Sequence, residues 1–150
     1  MRIWHKDLVQ VLPKKQLLGQ WRELCFIAKA VSQNGTPNHI LVNKVTQYSD
    51  EHLHYYATLV ADEMERRGYK CDFSKFTQYI QPKENHISYD TLFLRWHDDR
   101  YLMQCFANLQ EKYDCGGISI QEYYRIYEVV HKHFGRLADD ILIKGWFSCN

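Results

Sequence analysis

A chain of 150 residues, 45% hydrophobic and 25% charged, is long enough for one domain, and its core can bury about two-thirds of the surface the unfolded chain exposes. Only three prolines and seven glycines, with 15% aromatic residues, exclude a disordered chain, and no apolar run approaches the ~20 residues of a membrane helix. The net charge of +1 on its own argues against a polyanionic partner, but residues 1–31 hold six basic and two acidic residues (+4), against 13 basic and 16 acidic in the rest (−3). A basic patch can therefore sit on a near-neutral protein.

In chain order, Met1 to Leu12 mixes apolar and polar residues with no helical stripe and reads as an extended arm. Pro13 suits a first helical turn. Leu17, Leu18, Trp21, Leu24, Cys25, Ala28 and Val31 then recur at three- and four-residue spacing, which predicts a helix from about Pro13 to Ser32, ended by Asn34-Gly35-Thr36-Pro37. Residues 38–48 are partly β-branched and too short to assign. Ser49 or Asp50 can cap a second helix with Leu53, Tyr56, Ala57, Val60 and Met64 on one face. It stops at Gly68, with Arg66 and Arg67 at the carbonyl end, where cations are favoured.

A short helical piece is expected near 73–80, then a loop with Pro82. A longer helix is expected from Asp90 to about Lys112, carrying Phe93, Leu94, Trp96, Tyr101, Leu102, Cys105, Phe106 and Leu109. After Gly116-Gly117, Ser119 and Glu122 form a capping box that opens a helix with Tyr123, Ile126, Tyr127 and Val130, stopping at Gly135. One more short helix is expected in the tail. The fold class is mainly α: a single compact helical domain with an extended N-terminal arm packed on the helices. The five cysteines are odd in number, widely spaced and lack a C-x-x-C pair. With no apolar leader segment, that predicts a reduced, cytoplasmic setting.

Two features could carry chemistry. Arg2 is expected to leave Met1 in place, since initiator methionine is removed ahead of small residues. An α-amine is a weaker base than a lysine amine, so more of it is neutral and nucleophilic near pH 7, able to form a Schiff base. The second is Trp21-Arg22-Glu23-Leu24, which puts Arg22 and one carboxylate, Glu23, at the rim of the apolar helix face within the basic segment. Each alone has a plain reading, a frayed terminus and an exposed charged pair.

Together they carry a resemblance. Arg2-Ile3, Leu8-Val9, Gln16-Leu17, Trp21-Arg22-Glu23-Leu24 and Arg67-Gly68-Tyr69, with Tyr48, Leu53 and Glu63 between them, resemble the pyrimidine-dimer DNA glycosylases of the endonuclease V type. The likeness is to a bacterial branch of that family with a C-terminal extension. It continues more faintly to Leu109-Gln110-Glu111-Lys112, which divides the domain into a glycosylase-like core, 1–112, and a C-terminal helical extension, 113–150.

The resemblance implies DNA repair by a glycosylase with associated abasic-site lyase (endonuclease) activity. The N-terminal amine, here that of Met1, attacks sugar C1′ through a Schiff base, with Glu23 as acid/base partner. Arg2 and Arg22 hold DNA phosphate, and no metal or cofactor is needed; Lys15, Gln16, Lys112 and His39 are further candidate DNA contacts, although a capping or core role suits His39 better. The partner is double-stranded DNA with a damaged or abasic nucleotide, extruded from the stack. No membrane is involved, the setting is the nucleoid, and no feature fixes the oligomeric state. The chain departs from the family where Met1 replaces a threonine, Phe26 an arginine and Gln16 a histidine, and the arm is one residue longer. The alternative is a non-catalytic nucleic-acid-binding module on the same scaffold, for which Glu23 would be a liability because it repels phosphate.

Other groups have plainer readings. The pairs His52/His54 and His131/His133 are two residues apart, which on a helix points them to different faces and away from a shared metal. Arg95, Asp99 and Arg100 suggest i,i+4 pairs on an exposed helix face. Tyr123, Tyr124 and Tyr127 fit core packing better than base stacking.

Overall fold

Pro13, with φ of −57°, directly precedes α1 (Lys14–Asn34), whose first turn would leave its amide unused in any case. The computed structural model describes residues 1–82 and 86–135. α1 ends where Gly35 takes φ of 72°, a left-handed conformation that costs glycine nothing, and its N–H bonds back to Val31. α2 (Asp50–Arg66) opens with Asp50 and Glu51 beside its amide end and closes with Arg66. A single turn, α3 (Ser74–Thr77), follows. α4 (Asp99–Asp114) is capped by Asp98, which accepts from the Tyr101 N–H at 2.8 Å. α5 (Ile120–Phe134) carries the complete Ser119–Glu122 capping box. No strand occurs among the described residues, so the mainly α expectation holds. The tail beyond 135, with its expected last helix, lies outside the described residues.

Expectations for the arm and for the helix from Asp90 are corrected, and the unassigned stretch after α1 is resolved. The arm is extended only over its first five residues; Lys6–Val11 winds into a 3-10 turn, started by His5, whose Nδ1 accepts from the Asp7 N–H at 3.3 Å. Residues 43–47 form a second 3-10 turn. The helix expected from Asp90 begins instead at Asp99. Residues 89–97 form successive turns in which Phe93 and Arg95 take φ of 49° and 70°. Phe93 is fully buried, its ring packed among Tyr48, His52, Tyr56, Trp96 and His97, and its N–H donates to His52 Nδ1 at 3.0 Å. Burying that ring and supplying that acceptor outweigh the local helix pattern. Arg95 therefore lies off the helix and cannot pair with Asp99 at i,i+4. Asp99 instead meets His133 Nε2 at 2.8 Å, tying α4 to α5.

α1 packs on α2 and α3, and α5 packs on α4 and on the 3-10 turn of the arm, which also meets α2. The arm thus packs on the helices, as expected, and contributes side chains to the core. Ile3, Leu8 and Leu12 are fully buried, each side chain contributing about 1.5–3 kcal/mol by leaving water. Arg67 fixes the far end of the arm, donating to the Leu12 and Gln10 carbonyls at 2.7 and 2.8 Å. Its Nε also bonds buried Glu63, as does Arg66. Burial pushes the Glu63 carboxyl up, but the two guanidinium groups outweigh it and hold the group below the usual glutamate range. No helix among the described residues is long and apolar enough to cross a membrane.

Candidate active site

A buried extended segment must satisfy its N–H and C=O groups without strand partners. Residues 2–6 do so with side chains. The Arg2 N–H donates to Glu23 Oε2 at 3.0 Å, and the Trp4 N–H to Gln20 Oε1 at 2.8 Å. Gln20 and Glu23 are one turn apart on the same face of α1, so the arm runs antiparallel to that helix with its alternate amides facing it. The opposite edge is held from other elements. Tyr101 donates to the Ile3 carbonyl at 2.5 Å, and Tyr56 to the Trp4 carbonyl at 2.7 Å. The Lys6 N–H donates to His97 Nδ1 at 3.0 Å.

The protonation states suit these roles. Burial pushes the Tyr56 and Tyr101 phenols far up, so both keep the proton they donate. Burial, reinforced by His5 and Lys6, pushes His97 well below the usual histidine range. The ring is neutral, and because Nδ1 accepts, its proton sits on Nε2. His5 stacks on His97 with centroids 5.1 Å apart, and it too is lowered by burial.

This scaffold sets the chain end against one carboxylate. The Met1 α-amine lies 3.7 Å from Glu23 Oε1, while Oε2 of the same group is taken by the Arg2 amide. Both side chains are part-exposed, 22% for Met1 and 35% for Glu23, so the pair is reachable from solvent. It sits in a cleft of about 310 Å³, at the lower end of the size range of small-molecule sites. Arg2, Lys15 and Lys112 line the cleft with Gln16, Gln20, Asn108 and Leu41. Gln16 Oε1 and Gln20 Nε2 are buried there with no protein partner.

The structure thus brings together Met1, Glu23, Arg2, Lys15, Gln16 and Lys112. Two expected residues stand apart. Arg22 is exposed on the rim of α1 and does not line the cleft. His39 is also off the cleft wall; its N–H donates to Asn43 Oδ1 at 2.8 Å and its Nδ1 accepts from the Leu41 N–H at 3.3 Å. Phe26, one turn beyond Glu23, is 66% exposed.

Sequence reasoning missed Gln20, Tyr56, Tyr101 and His97 as arm-holding residues. Only Gln20 carried a signal, its one-turn spacing from Glu23. The other candidates are structural. Tyr123 stacks on Tyr113 with centroids 4.4 Å apart. His52 is engaged with Phe93, and His54 packs edge-on against Phe73.

A second cleft, lined by Lys6, Asp7, Asp62, Glu63, Arg66 and Tyr89, holds no comparable pairing of amine and carboxylate. Lys6 Nζ donates to the Tyr89 carbonyl and Tyr89 to Asp7, so those polar groups are already engaged.

A sequence profile of the family described as pyrimidine dimer DNA glycosylase matches residues 1–77, the stretch that runs from the arm to the end of α3. Comparison with curated proteins gave no match, and neither did comparison with solved structures.

Proposed function

The chain belongs to the pyrimidine dimer DNA glycosylase family, and from that premise we propose that it excises a damaged base through the Met1 amine and then nicks the strand. The observation that carries the reading is the placement of the Met1 amine 3.7 Å from Glu23 Oε1, at the floor of a cleft walled by Arg2, Lys15 and Lys112.

The neutral amine attacks C1′ of the extruded nucleotide. The bond from nitrogen to C1′ forms, the glycosidic bond breaks, and the base leaves with the electron pair and takes up a proton. The sugar ring opens as O4′ accepts a proton, leaving an imine between C1′ and the Met1 nitrogen. Loss of a proton from C2′ then expels the 3′ phosphate and cleaves the strand. Water finally hydrolyses the imine and frees the amine. Glu23 supplies and receives protons at O4′ and C2′, and as a carboxylate it stabilises the cationic imine. Every step balances with substrate, water and groups of this chain.

Arg2, Lys15 and Lys112 meet phosphate from inside the cleft, and Arg22 from the rim; such contacts fix register without reading sequence. Gln16 lines the cleft beside them. Residues 1–112 form the catalytic core on this reading, with 113–150 added to it, and the protein works on nucleoid DNA in the cytoplasm. A lone carboxylate on the floor of a cationic cleft would weaken a purely DNA-binding module, which speaks against that alternative.

The test is strand cleavage of a duplex with one abasic site, in chelator, by the native chain and by Glu23→Gln. The proposal expects the β-elimination product from the native chain and its loss in the variant. Equal cleavage by both would sink the role given to Glu23.

A further inference from the structure

Ile40 and Leu41 form the tip of the loop between α1 and the second 3-10 turn, and they are 88% and 48% exposed. Two neighbouring aliphatic side chains held in water call for an explanation when the backbone beneath them is well fixed. It is fixed here. The His39 carbonyl accepts from the Val42 and Asn43 amides at 2.9 Å each. Asn43 Oδ1 accepts from the His39 N–H and from Thr36 Oγ1, and His39 Nδ1 accepts from the Leu41 amide. The tip is a preset protrusion.

Its position is specific. Leu41 lines the cleft of Met1 and Glu23. It also lines a recess of about 570 Å³ beyond Arg2, which includes Glu111, and, with Ile40, a third beside Lys44, Arg100 and Asp98. Three recesses therefore meet at this one side chain, with cations to either side of it.

We propose that Ile40 and Leu41 act as a wedge that enters the base stack of duplex DNA beside the target nucleotide and keeps that nucleotide extruded in the cleft. The proposal rests on the catalytic reading above. Cations flanking an apolar tip draw the two phosphate strands alongside and bring the stack onto the tip. Aliphatic side chains offer no hydrogen bonds to base edges, so they fill the vacated space without reading sequence. They thereby favour the extruded state on which the chemistry depends. His39, expected to contact DNA, instead shapes the wedge.

The test compares strand cleavage of one abasic-site oligonucleotide as a duplex and as a single strand, where no stack needs opening. The native chain is set against Ile40→Ala, Leu41→Ala and the double variant; both positions are exposed, and thermal melting checks the fold. The ratio of duplex to single-strand rate is expected to fall about tenfold or more in the double variant. Fluorescence of a 2-aminopurine placed next to the site should rise on binding of the native chain and not of the variant. An unchanged ratio with an active native chain overturns the wedge alone and leaves the tip as a surface for a protein partner. A native chain inactive on both substrates removes the catalytic reading and the wedge with it.

Discussion

The N-terminal arm and the loop tip at Ile40–Leu41 border the same cleft and are built in opposite ways. The arm is buried, and its backbone is held from several sides by Glu23, Gln20, Tyr56, Tyr101 and His97, which come from different parts of the chain. The tip is exposed and is pinned by near neighbours in the chain, His39 and Asn43 among them. On the proposed function, the difference separates two tasks. The reacting groups must be fixed to a fraction of an ångström before substrate arrives, which calls for a supporting shell. The groups that meet DNA must remain open to solvent until it does.

That contrast can be broken experimentally, with the largest effect expected at its centre. Glu23→Gln should lower the strand-cleavage rate by about 10²–10⁴-fold, the range of an acid/base group. Its melting temperature should change little, because the amide oxygen can still accept from the Arg2 N–H. Collapse of the fold in this variant would show that Glu23 serves the arm rather than the reaction. Gln20→Leu comes next. It leaves the buried Trp4 N–H without its acceptor, at a cost of about 1–3 kcal/mol in stability. If the arm positions the amine, kcat should fall more than KM rises; a change in stability alone would reduce Gln20 to a packing role.

The acid side of the stability profile sharpens the same point. His97 is neutral in the fold and its pKa is depressed, so below the unfolded value of about 6.5 the unfolded chain binds the extra proton. Stability from this group is fully present above that pH and is lost as pH falls toward the depressed folded value. The loss grows as pH falls below the unfolded value. His97→Asn, which keeps an acceptor for the Lys6 N–H, should flatten that slope in denaturant titrations. An unaltered slope would mean that other buried groups, His5 among them, set it.

The smallest effect belongs to the rim. Arg22→Ala should weaken binding to any DNA sequence a few-fold and reduce the salt dependence of affinity by about one counterion, with single-turnover cleavage at saturation unchanged. A large loss of the chemical rate instead would place Arg22 in the reaction itself.

The outline of the helices was legible because their signals are local. α1 and α2 show regular apolar spacing, Gly35 stops α1, and Ser119 with Glu122 opens α5. Residues 89–97 were not legible: Phe93 sits in a helix-like pattern, and only its burial against Tyr48, His52 and Trp96 explains its left-handed backbone. The two ends of the site followed the same divide. Met1 and Glu23 could be paired from the resemblance, and the charge of the first 31 residues marked the face where they lie. Tyr101 and His97 reach the arm from 98 and 91 residues away, and nothing in their own neighbourhoods sets them apart from ordinary core residues. The overall charge proved the least informative number, since the cations that matter gather around a single carboxylate.

The most direct measurement of the central claim is borohydride reduction of the native chain with abasic-site DNA, followed by mass-spectrometric mapping of the covalent adduct. The account predicts one adduct, on the Met1 nitrogen, absent when that amine is blocked. An adduct on a lysine such as Lys15 or Lys112, or one that survives blocking of Met1, would contradict it.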